Sequence, residues 1–283
     1  MKKVMLALAV LALFAACSKN DEPESMVNIH VTPPYGDTTV TITFARAFDV
    51  QPMTRAAVSD VSTRLDVWII EGENIIEVHQ SSSDAGFGTV SVTLDKTKTY
   101  TIYAVSHKCD AAATLSDGVI SFPDDKVKDT FWYTTTFSPA TTTSVSCEMQ
   151  RIVAMFRIET TDEVPDEVKK MRITQKDVFD RWNVTSGASH QLDRISTINI
   201  TSTAQDGTIA LSVYSIVTDS QTLHDVVVEA LDADDNVLQT ETLADVPFRN
   251  GFKTVCRGTF FTSTNMSMSF TAASDWGEYS VSY

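Results

Sequence analysis

From residue 38 onward, apolar and polar residues alternate with period two in nearly every segment. Val40, Ile42 and Phe44 fall on one face of 38–48, with Thr39, Thr41 and Thr43 on the other. Leu65, Val67 and Ile69 share a face of 65–70, while Trp68 and Ile70 make the opposite face partly apolar. A Glu71-Gly72-Glu73-Asn74 turn then leads into 75–79, the signature of a hairpin. Val90, Val92 and Leu94 align in 88–94, and 99–106 continues the pattern after a DKTK turn. Further strands are predicted at 151–158, 170–175, 195–201, 208–214, 223–232, 236–243, 252–262 and 266–272, with Asp232 to Asn236 as a hairpin turn. These segments are rich in Val, Ile, Thr and Tyr, which suit a half-buried pleated surface. Residues 107–147 are looser, with a short helix predicted near 124–129 and a Ser/Thr-rich stretch at 134–146. No helical period survives over ten or more residues after the N-terminal segment, so the fold class is all-β.

So many closely spaced short strands exceed a typical single domain, and two antiparallel β-sandwiches are the natural packing. The pattern places one at 38–150 and the other at 151–283, the boundary falling where the Ser/Thr-rich stretch gives way to RIVAMFRI.

The N-terminus changes the picture. Lys2 and Lys3 precede 13 apolar residues at 4–16, and Cys17 follows two alanines. That run is too short to span a bilayer and reads as the apolar region of a signal peptide, 1–16. Its Leu-Phe-Ala-Ala-Cys ending resembles a bacterial lipobox, which implies cleavage before Cys17 and acyl chains on that residue. Phe14 departs from the usual aliphatic residue three before the cysteine. Residues 17–37 then form a lipidated tether, and Ser18-Lys19-Asn20-Asp21-Glu22 resembles a signal for export to the outward face of an outer membrane. Several acyl chains make a firm anchor, at about 0.8 kcal/mol per buried CH₂.

Charge and chemistry mostly exclude. The net charge is −15, with no basic cluster, which argues against nucleic acid as a partner. No GxSxG, HExxH or Gly-rich phosphate loop occurs, so no catalytic residue, metal ligand or cofactor is assigned and the chain is not expected to be an enzyme. The five histidines are scattered. Of Cys109, Cys147 and Cys256, at least one is unpaired; Cys109 and Cys147 either bridge or stay free. Trp132 and Trp182, in FWY and DRWN contexts, are either a sugar-stacking platform or packed side chains.

Taken in order, the lipobox, an alternating strand, TRA (54–56), LDVWIIEGENII (65–76), TYTIYAVS (99–106), QRIVAMFRIET (150–160), KTVCRGTFFT and SDWGEY (274–279) resemble the fimbrillin superfamily. The likeness is to its FimB-like anchor and accessory subunits, and it spans almost the whole chain. It implies two tandem transthyretin-like sandwiches, assembly with other fimbrial subunits by strand exchange, and a role in adhesion. It also implies a trypsin-like processing protease that cuts after an arginine beyond the first strand. Here that cut falls between Arg55 and Ala56, in QPMTRAAVSD, detaching Val40, Ile42 and Phe44. A donor strand is expected from the C-terminus, with Tyr279, Val281 and Tyr283 alternating. The alternative from another class is a surface glycan-binding lipoprotein of a polysaccharide-uptake system.

Overall fold

A computed structural model describes residues 38–39, 41–46, 58–142, 144–200, 207–262 and 268–272. In chain order the strands are β1 (Thr38–Thr39), β2 (Thr41–Arg46), β3 (Arg64–Glu71), β4 (Asn74–Ser81), β5 (Thr89–Val90), β6 (Thr93–Leu94), β7 (Tyr100–His107), β8 (Thr114–Ser116), β9 (Val119–Ser121) and β10 (Thr130–Phe137). They continue as β11 (Ser144–Arg151), β12 (Val153–Thr160), β13 (Lys170–Asn183), β14 (Gly187–Asn199), β15 (Ala210–Ile216), β16 (Thr222–Leu231), β17 (Val237–Phe248), β18 (Lys253–Gly258) and β19 (Met268–Ala272). One short helix, α1 (Val58–Val61), precedes β3. The fold is all-β and its pairings are mostly antiparallel.

Alternation explains the layers. In the N-terminal half, β4, β3, β7 and β10 form one sheet, and β11, β2 and β5 form a second that joins it only at Phe131↔Arg151 and Trp132↔Gln150. Leu65, Val67 and Ile69 of β3, Ile102 and Ala104 of β7, and Phe131 of β10 meet Val145, Cys147 and Met149 of β11 in one buried core. Gly72 takes a φ of +58° at the two-residue β3–β4 turn, a left-handed value that favours glycine.

The C-terminal half repeats the scheme. The sheet β17, β16, β13 and β14 faces the sheet β15, β12, β18 and β19, with one connecting pair, Phe179↔Ile216. Its core gathers Phe156 and Ile158 of β12, Met171 and Ile173 of β13, Val226 and Val228 of β16, and Cys256 of β18.

A third cluster lies between the halves and contains Trp68, Val105, Cys109, Ile120, Phe122, Ile152, Trp182 and Ile216. The small hairpin β8–β9 pairs onto β13 at Val119↔Asn183 through Ser121↔Arg181, so strands before residue 150 extend the C-terminal sheet. β13 reaches this hairpin because a bulge between Gln175 and Val178, with Asp177 at φ +56°, bends it there. The short helix expected near 124–129 is a single 3₁₀ turn at Pro123–Asp125, started by the proline and not continued.

Candidate functional site

The strand predicted at 38–48 divides into β1 and β2. β2 runs parallel to β11 over six register pairs, Thr41↔Ser144 to Arg46↔Met149. On its other flank it pairs antiparallel with β5 at Ile42↔Val90 and Thr43↔Thr89, and among the described residues β1 continues that register onto β6 at Thr39↔Thr93 and Thr38↔Leu94. The register sets Ile42 abreast of Val145 and Phe44 abreast of Cys147. β11 alternates cleanly: Val145, Cys147 and Met149 are buried, while Ser144, Ser146 and Glu148 are exposed. Along 144–149, β11 has no other strand partner among the described residues. Without β2 it would present an apolar row and a free edge, the requirement for pairing with another strand.

Val40 lies outside the described residues, as do Cys17, Arg55, Ala56, Tyr279, Val281 and Tyr283. α1 begins three residues after Arg55, and Val58 is anchored in the N-terminal core. At the other end, β19 is an outer strand, antiparallel on β18.

The aromatic residues weighed as a sugar platform are used internally. Trp132 stacks on Tyr103 (5.6 Å between centroids, 21°) and meets Trp182 at 6.1 Å. Trp182 is buried and packed beside Gly187. The bridge considered for Cys109 and Cys147 is not formed, because Cys109 lies in the junction cluster and Cys147 in the N-terminal core. Burial pushes the Cys109 thiol up to about 11 and that of Cys256 to about 12, and it raises Cys147 too. All three stay protonated and unreactive.

Sequence reasoning missed the residue that orders the junction. Asp66 is completely buried and accepts hydrogen bonds from His79 Nδ1 (2.8 Å), His107 Nε2 (2.7 Å) and the backbone N–H of Ala113 (2.8 Å). His107 Nδ1 accepts the N–H of Cys109 (3.2 Å), which fixes the proton on Nε2. Both ring nitrogens are therefore occupied, and the cluster holds the 107–113 segment in place rather than activating a nucleophile. The signal was there: Asp66 stands on the same strand face as Trp68 and Ile70, the face read as partly apolar.

The buried Arg194 of β14 donates to the backbone carbonyls of Tyr214 (2.9 Å), Asp125 (2.7 Å) and Val127 (3.3 Å). One guanidinium from the C-terminal half thus ties down a loop of the N-terminal half.

A family model described as a family of unknown function, DUF6562, matches residues 32–276. The chain belongs to that family. No protein of curated function matches this DUF6562 chain by sequence. Among solved structures it is similar to candidate polysaccharide-binding proteins (DUF1812) from Bacteroides thetaiotaomicron, with a TM-score of 0.53 and 7% identity over 87% of this chain and 98% of the other. It is also similar to a candidate adhesin from Bacteroides ovatus, at 0.51 and 8% over 87% and 96%. A looser likeness, at 0.46 and 8% over 83% and 97%, is to the fimbrial anchor protein Mfa2 from Porphyromonas gingivalis. At such identities the DUF6562 chain shares with the first two a fold, and the third is too distant to add to it.

Proposed function

We propose that this protein is a cell-surface subunit of a fimbrial assembly with a role in adhesion, held to the outer membrane by lipid on Cys17 and joined to other subunits through the β2 site. The observation that carries the reading is the seat of β2 along β11, six parallel pairs above the buried row Val145, Cys147 and Met149, with a shorter flank of two pairs on β5 and two more from β1 onto β6. A donor strand from another subunit would gain the same main-chain hydrogen bonds and the same apolar neighbours. The similarity in fold to a structure described as an adhesin candidate supports it.

The tether and the cut work against each other. Because Cys17 lies N-terminal to Arg55, a cut there leaves the lipid with β2 and frees the rest of the chain from covalent anchorage. An anchor keeps the Arg55–Ala56 bond intact, whereas a polymerising subunit is cut. Mass spectrometry of surface-assembled material decides between them: a mature N-terminus at Ala56 marks the polymerising role, and intact chains from the lipid onward mark the anchor. Fatty-acid labelling that is lost in Cys17→Ala, with release from the membrane fraction, tests the tether. An unlabelled mature chain in wild-type cells would sink it.

The glycan-binding reading has one support, the similarity in fold to proteins described as polysaccharide-binding candidates. Saturable binding of a polysaccharide that is lost in Trp132→Ala would favour it over assembly.

A further inference from the structure

In each half, an early strand lies parallel to and beside a late strand of the core. β2 lies on β11 over six pairs, and β12 lies on β18 over six more, Met155↔Lys253 to Thr160↔Gly258. A single residue, Ile152, separates β11 from β12, and its N–H donates to the carbonyl of Thr130 (3.0 Å). The path β2, β11, Ile152, β12, β18 therefore alternates between a hydrogen-bonded step and a covalent one.

Parallel pairing matters when a chain is pulled. Tension applied at the start of β2 and the end of β11 slides the strands past each other, so all inter-strand N–H···O bonds carry load together. An antiparallel hairpin pulled at its two free ends opens one bond at a time. We propose that this chain is built to bear tension along its length, with β2 on β11 and β12 on β18 as two shear-loaded clamps in series. The surface-tether reading supplies only the direction of natural load, from the membrane through Cys17 toward whatever the C-terminal end holds.

β19 behaves differently. It runs antiparallel on β18 from Gly258↔Met268 to Thr254↔Ala272, so its last residue sits beside the first residues of β18 and, across them, of β12. Tension from beyond Ala272 peels it from one end, and it yields first. Load then enters at the end of β18, where two side-chain locks reinforce the clamp. Glu159 accepts from Arg257 (2.8 Å) across the β12–β18 pair, and from Arg157 (2.6 Å) of its own strand. Asp162 accepts the backbone N–H groups of Phe260 (2.9 Å), Phe261 (2.6 Å) and Thr262 (2.8 Å), just beyond the last strand residue of β18.

Single-molecule force spectroscopy tests this on the chain from residue 17 onward with Cys17→Ser, carrying handles at its two ends. One weak event followed by two strong ones is expected. Handles at Thr41→Cys and Ser144→Cys load the same β2–β11 pair from one end only, and the rupture force should fall several-fold. Thr39→Cys with Thr142→Cys gives the same geometry just outside the β2–β11 pairs, with Thr39 paired only on the other flank, to Thr93, and guards against damage at Thr41. Asp162→Asn should weaken one strong event and leave the other. Equal rupture forces in the end-to-end and same-end geometries overturn the proposal, as does end-to-end unfolding without a strong event. Since the forces are read on an isolated chain, failure of Cys17 labelling in cells leaves this result untouched, and the reverse holds too.

Discussion

β2 and β12 occupy the same place in their halves, yet they are held unequally. Each is an early strand of its half and runs parallel to a late one. β12 is also flanked by β15 over seven antiparallel pairs, Val153↔Ile216 to Glu159↔Ala210, whereas the flank of β2 pairs at two positions on β5, with two more from β1 onto β6. The difference lies in the flanking segment. Gly86 and Gly88 take positive φ values immediately before β5, so the chain curls there and the ladder ends at Thr43↔Thr89, while toward the other end it resumes at Thr39↔Thr93 and Thr38↔Leu94 between β1 and β6. The same topology thus yields a fixed strand in one half and a weakly flanked one in the other.

The strongest way to break the comparison is to damage the fixed strand. Phe156, completely buried in β12, touches the ring of Phe248 edge-on at 6.3 Å. Phe156→Ala should cost about 3–5 kcal/mol through lost transfer energy and the cavity left behind. Urea unfolding followed by circular dichroism reads that loss. A chain lacking everything through Arg55 should, by contrast, keep the C-terminal core, with its unfolding transition unmoved.

Next comes the coupling between the halves. Asp66→Ala leaves two imidazoles and the Ala113 N–H without their acceptor, and Ala113 begins the stretch whose hairpin rides on β13. Removing it should cost about 2–4 kcal/mol, at one to three per stranded buried group with partial relief by water. If the halves are coupled, both parts of the unfolding curve move; a shift in the N-terminal part alone would show that β12 and β2 report on independent cores.

How much of this was legible follows from what each strand buries. β3, β7, β11 and β12 put apolar residues on alternate positions, and the period-two pattern finds them. Upper β13 and most of β14 escape it, because Asp180 and Arg194 point inward and the bulge at Lys176–Asp177 shifts the phase. β2 was visible as a strand, but its parallel partner a hundred residues away was not, since alternation says which face is buried and nothing about neighbours. Asp66, His79 and His107 become one cluster only through the β3–β4 and β3–β7 registers.

A smaller effect sharpens the view of the β12–β18 end. Burial pushes the Asp162 carboxyl up, but the N–H groups of Phe260, Thr262 and Phe261 outweigh this and hold it below the usual carboxylate range. A group with a depressed folded value stabilises fully above its unfolded value, near pH 4, and loses that contribution as pH falls through the folded value. Asp162→Asn should therefore flatten the loss of stability below about pH 4 and lower stability at neutral pH. An unchanged acid slope would remove Asp162 from the set of locks.

The least energetic test bears most directly on β2. The sequence that follows it, 47–57, contains Pro52, small residues and a lone basic residue, Arg55, a pattern that favours nicking. Arg46 ends β2 and Arg64 begins β3, where backbone pairing keeps them from the extended fit a protease requires. Brief trypsin treatment of the folded chain should therefore give a new N-terminus at Ala56 before any other. The cut removes no pairing, so β2 stays seated, held by its six pairs on β11 and two on β5. What changes is its return: a strand that slips out is no longer tied nearby and competes with any other strand at its true concentration. A labelled peptide of residues 38–48 should then enter several-fold faster after cleavage than before. Were the nicked chain to exclude the peptide as firmly as the intact one, the short flank on β5 and β6 would not be a weakness, and β2 would be as fixed as β12.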